Sequence, residues 1–184
     1  KTALGLTTQT VQEGEQIEYK LVLLSKPNNQ ENVVVTISDK AVTTSSNLQS
    51  PSVSTTTLTF SSINWNVPQD LTITTIHDNI DGELEKFEIY HQIDSTDTKY
   101  NSLAPMIIAL DVNDIDTAGV EFDKSAIGVK EGGNPVSFAL NKLTSKPTQP
   151  VTLSIDSTSC GDTFSITPSS YTIPVDQWNQ KLSF

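Results

Sequence analysis

The sequence repeats one series of short motifs, in the same order, about 118 residues further along the chain (Val11 to Val129). The matching motifs are Val-Gln-Glu-Gly at 11–14 with Val-Lys-Glu-Gly at 129–132, Ser-Lys-Pro at 25–27 with 145–147, and Trp-Asn at 65–66 with 178–179. Repetition at a fixed period constrains the fold strongly, because each copy must form the same structural unit. We therefore predict tandem domains: one over residues 1–116, and the N-terminal part of a second over residues 117–184.

Alternation of apolar and polar residues, many of them β-branched, predicts seven strands in the first copy. The predicted strands are 3–11, 17–24, 32–38, 56–60, 70–76, 86–93 and 105–112. No segment shows sustained helical periodicity. We therefore expect an all-β protein of tandem immunoglobulin-like antiparallel β-sandwich domains, about seven strands each, with the second one truncated. Trp65 and Trp178 precede equivalent strands, and we expect them to fill a core or turn rather than to bind a ligand.

The charge of the chain restricts its partners. The net charge is −11, from 22 acidic side chains against 11 lysines, and the sequence contains no arginine. Proteins that bind nucleic acid present a basic surface, so we expect no nucleic-acid partner. Acidity suits cations, although it also serves simply to keep a protein in solution. No apolar run is long enough to cross a membrane.

Most acidic residues gather at one end of the predicted sandwich, because alternate loops of antiparallel strands lie at the same end. Two carboxylates about 4 Å apart repel by about 4 kcal/mol at an effective dielectric constant of 20, so a cluster favours a bound cation. The alternative is that these side chains spread into water. Oxygen-only donors predict calcium. The candidate ligands are Glu13, Asp78, Asp81, Glu83, Glu85, Asp111, Asp114 and Asp116, with Glu131 as the candidate in the second copy.

Three motifs together resemble the Calx-beta domain, the module of sodium–calcium exchangers and of many extracellular adhesion and matrix proteins. The motifs are Val-Gln-Glu-Gly at 11–14, Ile-His-Asp-Asn-Ile at 76–80 followed by Glu83 and Glu85, and Asp-Ile-Asp-Thr-Ala-Gly at 114–119. The resemblance implies a seven-strand sandwich, usually in tandem, with calcium bound where the next domain starts. The positions that match the family's acidic residues are Glu13, Asp78, Glu85, Asp114 and Asp116. Asp-Val-Asn-Asp at 111–114 is similar, more loosely, to the linker motif of cadherins.

The chain departs from the strongest calcium sensors of that family at three positions. His77 stands where they carry aspartate, Gly82 replaces an acidic residue, and Ile115 interrupts the run of aspartates. We therefore expect fewer ions and modest affinity, with a dissociation constant of about 10⁻⁴–10⁻³ M, as in extracellular calcium modules.

Nothing in the sequence indicates catalysis. The two histidines, His77 and His91, lack a serine, cysteine or metal-ligand neighbour at a useful spacing, and phosphate-binding and nucleophile motifs are missing. We expect a protein that is not an enzyme. The single cysteine, Cys160, lies in a loop-like stretch and is either incidental or paired with a segment outside this chain.

These observations predict a non-catalytic structural or adhesive repeat of a larger extracellular or cell-surface protein. Calcium would rigidify the link between domains, and the partners would be neighbouring repeats and other surface or matrix proteins. Two alternatives stay open. One is an ion-independent module that binds protein or glycan, for example through the Ser/Thr-rich loop 43–57. The other is a calcium-sensing domain.

Overall fold

The computed structural model describes residues 8–28, 31–45, 47–155 and 165–183, and these residues form an all-β protein with little helix. The chain divides into two compact units: Lys1–Asp78 with Glu83–Ile115, and Asn79–Gly82 with Asp116–Phe184. Cys160 and the start of the first predicted strand lie outside the described residues. Each unit has its own hydrophobic core.

The first unit consists of two sheets. Their strands are β1 (Gln9–Gln12), β2 (Gln16–Leu21), β3 (Val33–Ala41), β4 (Ser52–Val53), β5 (Thr57–Phe60), β6 (Gln69–Thr74), β7 (Glu85–Ser95) and β8 (Met106–Asn113). One sheet has the order β1-β8-β7-β3-β5 and the other the order β2-β6-β4. The arrangement agrees with the predicted β-sandwich.

Alternation along the strands builds the core of the first unit. In β7 every second residue from Phe87 to Ile93 is buried, and β3 shows the same pattern from Val33 to Ile37. Leu71 and Ile73 of β6 supply the facing layer from the second sheet. Side chains of alternate strand residues point to opposite faces, so these positions place one apolar layer between the two sheets.

Three details differ from the prediction of a simple antiparallel seven-strand sandwich. First, β1 pairs with β8 in parallel, with Val11 opposite Val112. Second, the loop predicted between residues 38 and 56 contains β4, which pairs with β6. Third, one turn of helix, α1 (Thr98–Asn101), follows β7. The buried carboxylate of Asp97 begins this helix by accepting from the main-chain N–H of Lys99 at 3.0 Å, and one turn is too short to leave a periodic signal.

The second unit contains β9 (Val120–Phe122), β10 (Ala139–Leu143), β11 (Val151–Ser154), β12 (Ser170–Ile173) and β13 (Leu182–Ser183), with a 3₁₀ turn at Val175–Gln177. The order of its three-stranded sheet is β13-β10-β9, and β11 pairs with β12. Its core is formed by Leu140, Leu143 and Ile173, and Trp178 packs against them as expected.

Two local features recur at equivalent positions of the two units. The N–H of Leu23 donates to the carbonyl of Trp65 at 3.0 Å, and the N–H of Leu143 donates to the carbonyl of Trp178 at 2.8 Å. The glycines of the two Glu-Gly motifs both have a left-handed backbone, with φ of 77° at Gly14 and 65° at Gly132. The repeated motifs of the sequence therefore carry the same local structure.

Candidate functional site

Three strands of the first unit each have a carboxylate near one end. Each carboxylate lies two residues from the last apolar core residue of its strand. Just past the end of β1, Glu13 comes two residues after Val11, which packs against the core. On β7, Glu85 comes two residues before Phe87, which is buried. Just past the end of β8, Asp114 comes two residues after the buried Val112. Because the side-chain period of a strand is two, all three carboxylates share the face of the core.

The register of the sheet brings these three carboxylates to the same end. Val112 lies opposite Val11 on one side and opposite Glu85 on the other. The N–H of Glu13 continues this ladder by donating to the carbonyl of Asn113 at 3.1 Å. Glu13, Glu85 and Asp114 therefore close one end of the first sandwich, and each is half-buried.

The second sheet reaches the same end through the residues that follow β6. The buried hydroxyl of Thr75 donates to the carbonyls of Gln12 and Glu15, both at 3.0 Å, and so ties β6 to the turn between β1 and β2. His77 and Asp78 come next. The nearest ligand atoms of Glu13 and His77 lie within 4.8 Å of one another.

The pKa of Glu85 responds to its burial and to the neighbouring carboxylates. Burial raises the pKa of Glu85, and the negative charges of Asp78 and Asp114 raise it further. A hydrogen bond with the main chain of Gln49 opposes this effect in part. The ionised form of Glu85 is thus disfavoured without a positive partner.

The other predicted ligands of the first unit are placed elsewhere. Asp111 lies on β8 three residues before Asp114, on the outward face, where its carboxylate is 3.5 Å from the Lys86 ammonium. Glu83 is exposed.

Asp81, Asp116 and Glu131 belong to the second unit. The carboxylate of Asp81 accepts from the N–H of Ala118 at 2.8 Å, Asp116 is half-buried, and Glu131 is exposed.

Sequence reasoning grouped the acidic residues by loop and did not separate those that face the core from those that face outward. The sequence does not make this separation by itself, because Asp111 is two residues from the apolar Ala109 just as Asp114 is two residues from the apolar Val112. No sequence pattern predicted the hydrogen bond between the main chain of Gln49 and Glu85, since Gln49 lies in the irregular stretch before β4.

The donor set fits a hard divalent cation. Carboxylates from four chain segments supply oxygen atoms, which calcium prefers, and glutamate and aspartate can each bind through one or two oxygens. His77 is the exception, because imidazole suits softer metals. The residues that would hold calcium in the first unit are Glu13, Asp78, Glu85 and Asp114.

The second unit has a shallow cleft of about 320 Å³. Its walls are formed by Ile80, Asp81, Ala118 and residues 145–151. In the described part of the chain, no helix has the length and apolar character needed to cross a membrane.

Comparison with known proteins found structural similarity only. No family model and no curated protein matches the sequence. The fold is similar to the calcium binding domain CBD12 of CALX1.1, with 16% identity over 96% of this chain and 71% of that chain, at a TM-score of 0.44. It is also similar to the CsuC–CsuE chaperone–tip adhesion subunit complex of Acinetobacter baumannii, with 12% identity over 95% and 82% of the two chains, at a TM-score of 0.42. The CupB2 chaperone of Pseudomonas aeruginosa matches at 8% identity over 97% and 86%, with a TM-score of 0.37. The similar structures thus include a calcium binding domain, a complex of a chaperone with a tip adhesion subunit, and a chaperone.

Proposed function

We propose that this chain is a non-catalytic structural or adhesive part of a larger extracellular or cell-surface protein, built from tandem β-sandwich repeats. Calcium binds at the end of the first sandwich where the chain passes to the second repeat, and it stiffens that link. The observation that carries the proposal is the convergence of Glu13, Glu85 and Asp114 on the core-facing side of three adjacent strands.

Repulsion among these carboxylates supplies the driving force for binding. Each is half-buried, so water screens their charges less than it screens charges on the open surface. Burial is the main cause of the raised pKa of Glu85, and the negative charges of Asp78 and Asp114 add to it. A divalent cation replaces the repulsion by attraction and holds the ends of β1, β7 and β8 together.

The ion acts on the link through Asp116, which follows Asp114 by two residues. Two residues span at most about 7 Å, so both aspartates are within reach of one cation. With the ion bound, the residues that leave β8 are held in one direction. Without it, the aspartates repel and the link is free to bend.

Calorimetric titration of the full chain with calcium tests the proposal. We expect a dissociation constant of about 10⁻⁴–10⁻³ M, lost in the Glu85→Gln/Asp114→Asn double variant. Asp111→Asn is the matched control, because it removes one carboxylate from the outward face of the same strand, and it should bind as the wild type does. Absence of heat and of any thermal shift at several millimolar calcium would overturn the ion site.

The stiffening itself is measured by small-angle scattering with calcium and with a chelator. We expect a narrower distribution of interdomain distances with calcium, and the same distribution in both conditions for the double variant. If calcium binds and the distribution of interdomain distances stays the same, the ion has only a local role in the first sandwich.

A further inference from the structure

In the second unit, the segment Asn79–Gly82 covers the residues that follow β10. The N–H of Lys146 donates to the carbonyl of Asn79 at 2.7 Å, and the carboxylate of Asp81 accepts from Ala118 at 2.8 Å. Ser145 is left with only 6% of its surface exposed. We call residues 144–146 the second corner.

The covering segment is shaped for this contact. Asn79 has a φ of 65°, and it is the single non-glycine residue with a left-handed backbone in the described residues. That conformation is uncommon for a residue with a side chain, although asparagine tolerates it better than most. It presents the carbonyl of Asn79 to Lys146, and Asp81 follows two residues later.

The first unit has the same corner at residues 24–26, which we call the first corner. The match rests on the shared Ser-Lys-Pro motif and on the equivalent hydrogen bonds of Leu23 and Leu143. The first corner, however, has no such covering turn. Its Ser25 is held from within the unit by the hydroxyl of Tyr100, which contacts the Ser25 hydroxyl and donates to the Ser25 carbonyl, and the remainder of the corner faces outward. Leu24 is 83% exposed, Ser25 is exposed, and the N–H of Lys26 has no hydrogen-bond partner among the described residues.

We infer that the first corner is a docking surface for the segment, equivalent to Asn79–Gly82, of another repeat of this type placed on its N-terminal side. The inference rests on the proposed tandem function and adds the contact by which successive repeats join. The incoming turn provides a main-chain carbonyl for the N–H of Lys26.

Charge favours this partner. The stretch 76–85 carries four carboxylates, Asp78, Asp81, Glu83 and Glu85, and the corner offers a lysine in both copies. The turn is also short and has one defined backbone, so little conformational entropy is lost when it docks.

An extended chain tests the inference. Residues 1–116 are fused to the N-terminus of residues 2–184, which reproduces the natural junction because Thr-Ala at 2–3 matches Thr-Ala at 117–118. The amide followed is Lys26 of the original copy, which comes after the added one. Its hydrogen exchange is compared with that of the same amide in the 184-residue chain, in chelator so that calcium plays no part. We expect exchange to slow by about tenfold or more, while the Lys146 amide is protected in both chains.

Asn79→Val in the added copy alone is the matched control, because a β-branched residue disfavours the left-handed turn. It should restore fast exchange at Lys26. Unchanged exchange at Lys26, with the core amides of the added copy protected, would overturn the inference. Slowing that depends on protein concentration would also overturn it, since the contact would then join separate molecules.

A second measurement covers the case in which the added copy does not fold. A cyclic peptide of residues 76–85 is titrated into the 184-residue chain, and the amide shifts of residues 24–26 are followed. Saturable shifts confined to this corner support the docking surface, and their absence at millimolar peptide contradicts it. Either result is independent of the calcium titration, so the two proposals fail separately.

Discussion

The hydroxyl of Tyr19 lies 2.7 Å from Nε2 of His91 and joins the two sheets of the first unit. Nδ1 of His91 is 3.2 Å from the carbonyl of Met106. A carbonyl can only accept, so Nδ1 carries the proton and Nε2 accepts from Tyr19. Burial raises the pKa of Tyr19 to about 12, so the hydroxyl keeps its proton over the ordinary pH range. This bridge requires a neutral imidazole.

Acid should weaken the first unit through this bridge. Burial lowers the pKa of His91 below its usual value of 6.5, so the unfolded chain binds the proton more readily than the folded chain does. The contribution to stability is complete above pH 6.5 and is lost as the pH falls through the lower pKa of the folded state. Urea unfolding at pH 7.5 and at pH 5 should show a lower midpoint in acid.

Two variants assign this pH dependence. His91→Phe should be less stable at neutral pH, because it removes the hydroxyl's acceptor, and it should lose the part of the acid effect that comes from this imidazole. His77→Gln removes the other imidazole and leaves the Tyr19–His91 bridge in place, so the part of the acid effect that comes from the bridge should remain. An equal fall in midpoint for wild type and His91→Phe would show that other groups cause the acid response.

Glu85→Gln should have opposite effects with and without calcium. The pKa of Glu85 is raised, so its contribution to stability is present below its unfolded value of 4.5 and is lost as the pH rises through the folded value. At neutral pH in chelator, the free energy of unfolding of the neutral variant should therefore be higher by roughly 0.2–1 kcal/mol given the partial exposure of Glu85, and the variant should unfold at a slightly higher temperature. With several millimolar calcium, the wild type should be the more stable. A variant that is less stable in both conditions would contradict the repulsion.

Alanine at the two left-handed glycines should destabilise both units. Gly14→Ala and Gly132→Ala each force a side chain into the left-handed region, at a cost of about 1–2 kcal/mol. Space is not the cause, since a Cβ at Gly14 would meet His77 at an ordinary 3.5 Å and one at Gly132 would meet nothing within 4 Å. Gly128→Ala, with open space and no positive φ, should leave thermal unfolding unchanged or slightly improved. Equal effects at all three positions would rule out backbone strain.

Core and surface isoleucines of the first unit should differ sharply. Ile89 is 0% exposed between the sheets, whereas Ile63 is 88% exposed. Ile89→Ala should lower the free energy of unfolding by about 2–5 kcal/mol, because it removes buried apolar contacts and leaves a cavity. Ile63→Ala should change it by less than about 0.5 kcal/mol. Chemical denaturation of the two variants measures the difference directly, and a large loss at Ile63 would place that residue in an interface.

The strands of the first unit were predictable because burial on one face leaves a period of two in the sequence. The predicted strand 86–93 lies within β7 (Glu85–Ser95), and 105–112 overlaps β8 (Met106–Asn113). The two residues of β4 and the single turn of α1 were not predictable, since neither is long enough to repeat. The parallel pairing of β1 with β8 joins distant parts of the chain, and local pattern does not encode such pairing.

The sequence predicts where the acidic residues of the first unit gather, but it does not predict which of them face the core. Asp111 and Asp114 both follow an apolar run, yet Asp111 faces outward to Lys86 while Asp114 continues the inner face of β8. Asp111 is one residue from the buried Val112 and so points to the opposite face, whereas Asp114 is two residues from it and points to the same face. This distinction is clear only once it is known which residues of β8 face the core. Asp81 shows a second limit, because its partner Ala118 is 37 residues away.

The parallel ladder of β1 and β8 has a mechanical consequence. Gln9 lies opposite Leu110 and Gln12 opposite Asn113, so the two strands run in the same direction and the chain enters the first unit at one end of the ladder and leaves at the other. Tension applied between these points would slide the strands past each other and load all the inter-strand hydrogen bonds at once. A ladder loaded in shear resists a pulling force far better than one that opens bond by bond. The first unit would therefore bear tension through its shortest path, from β1 directly to β8.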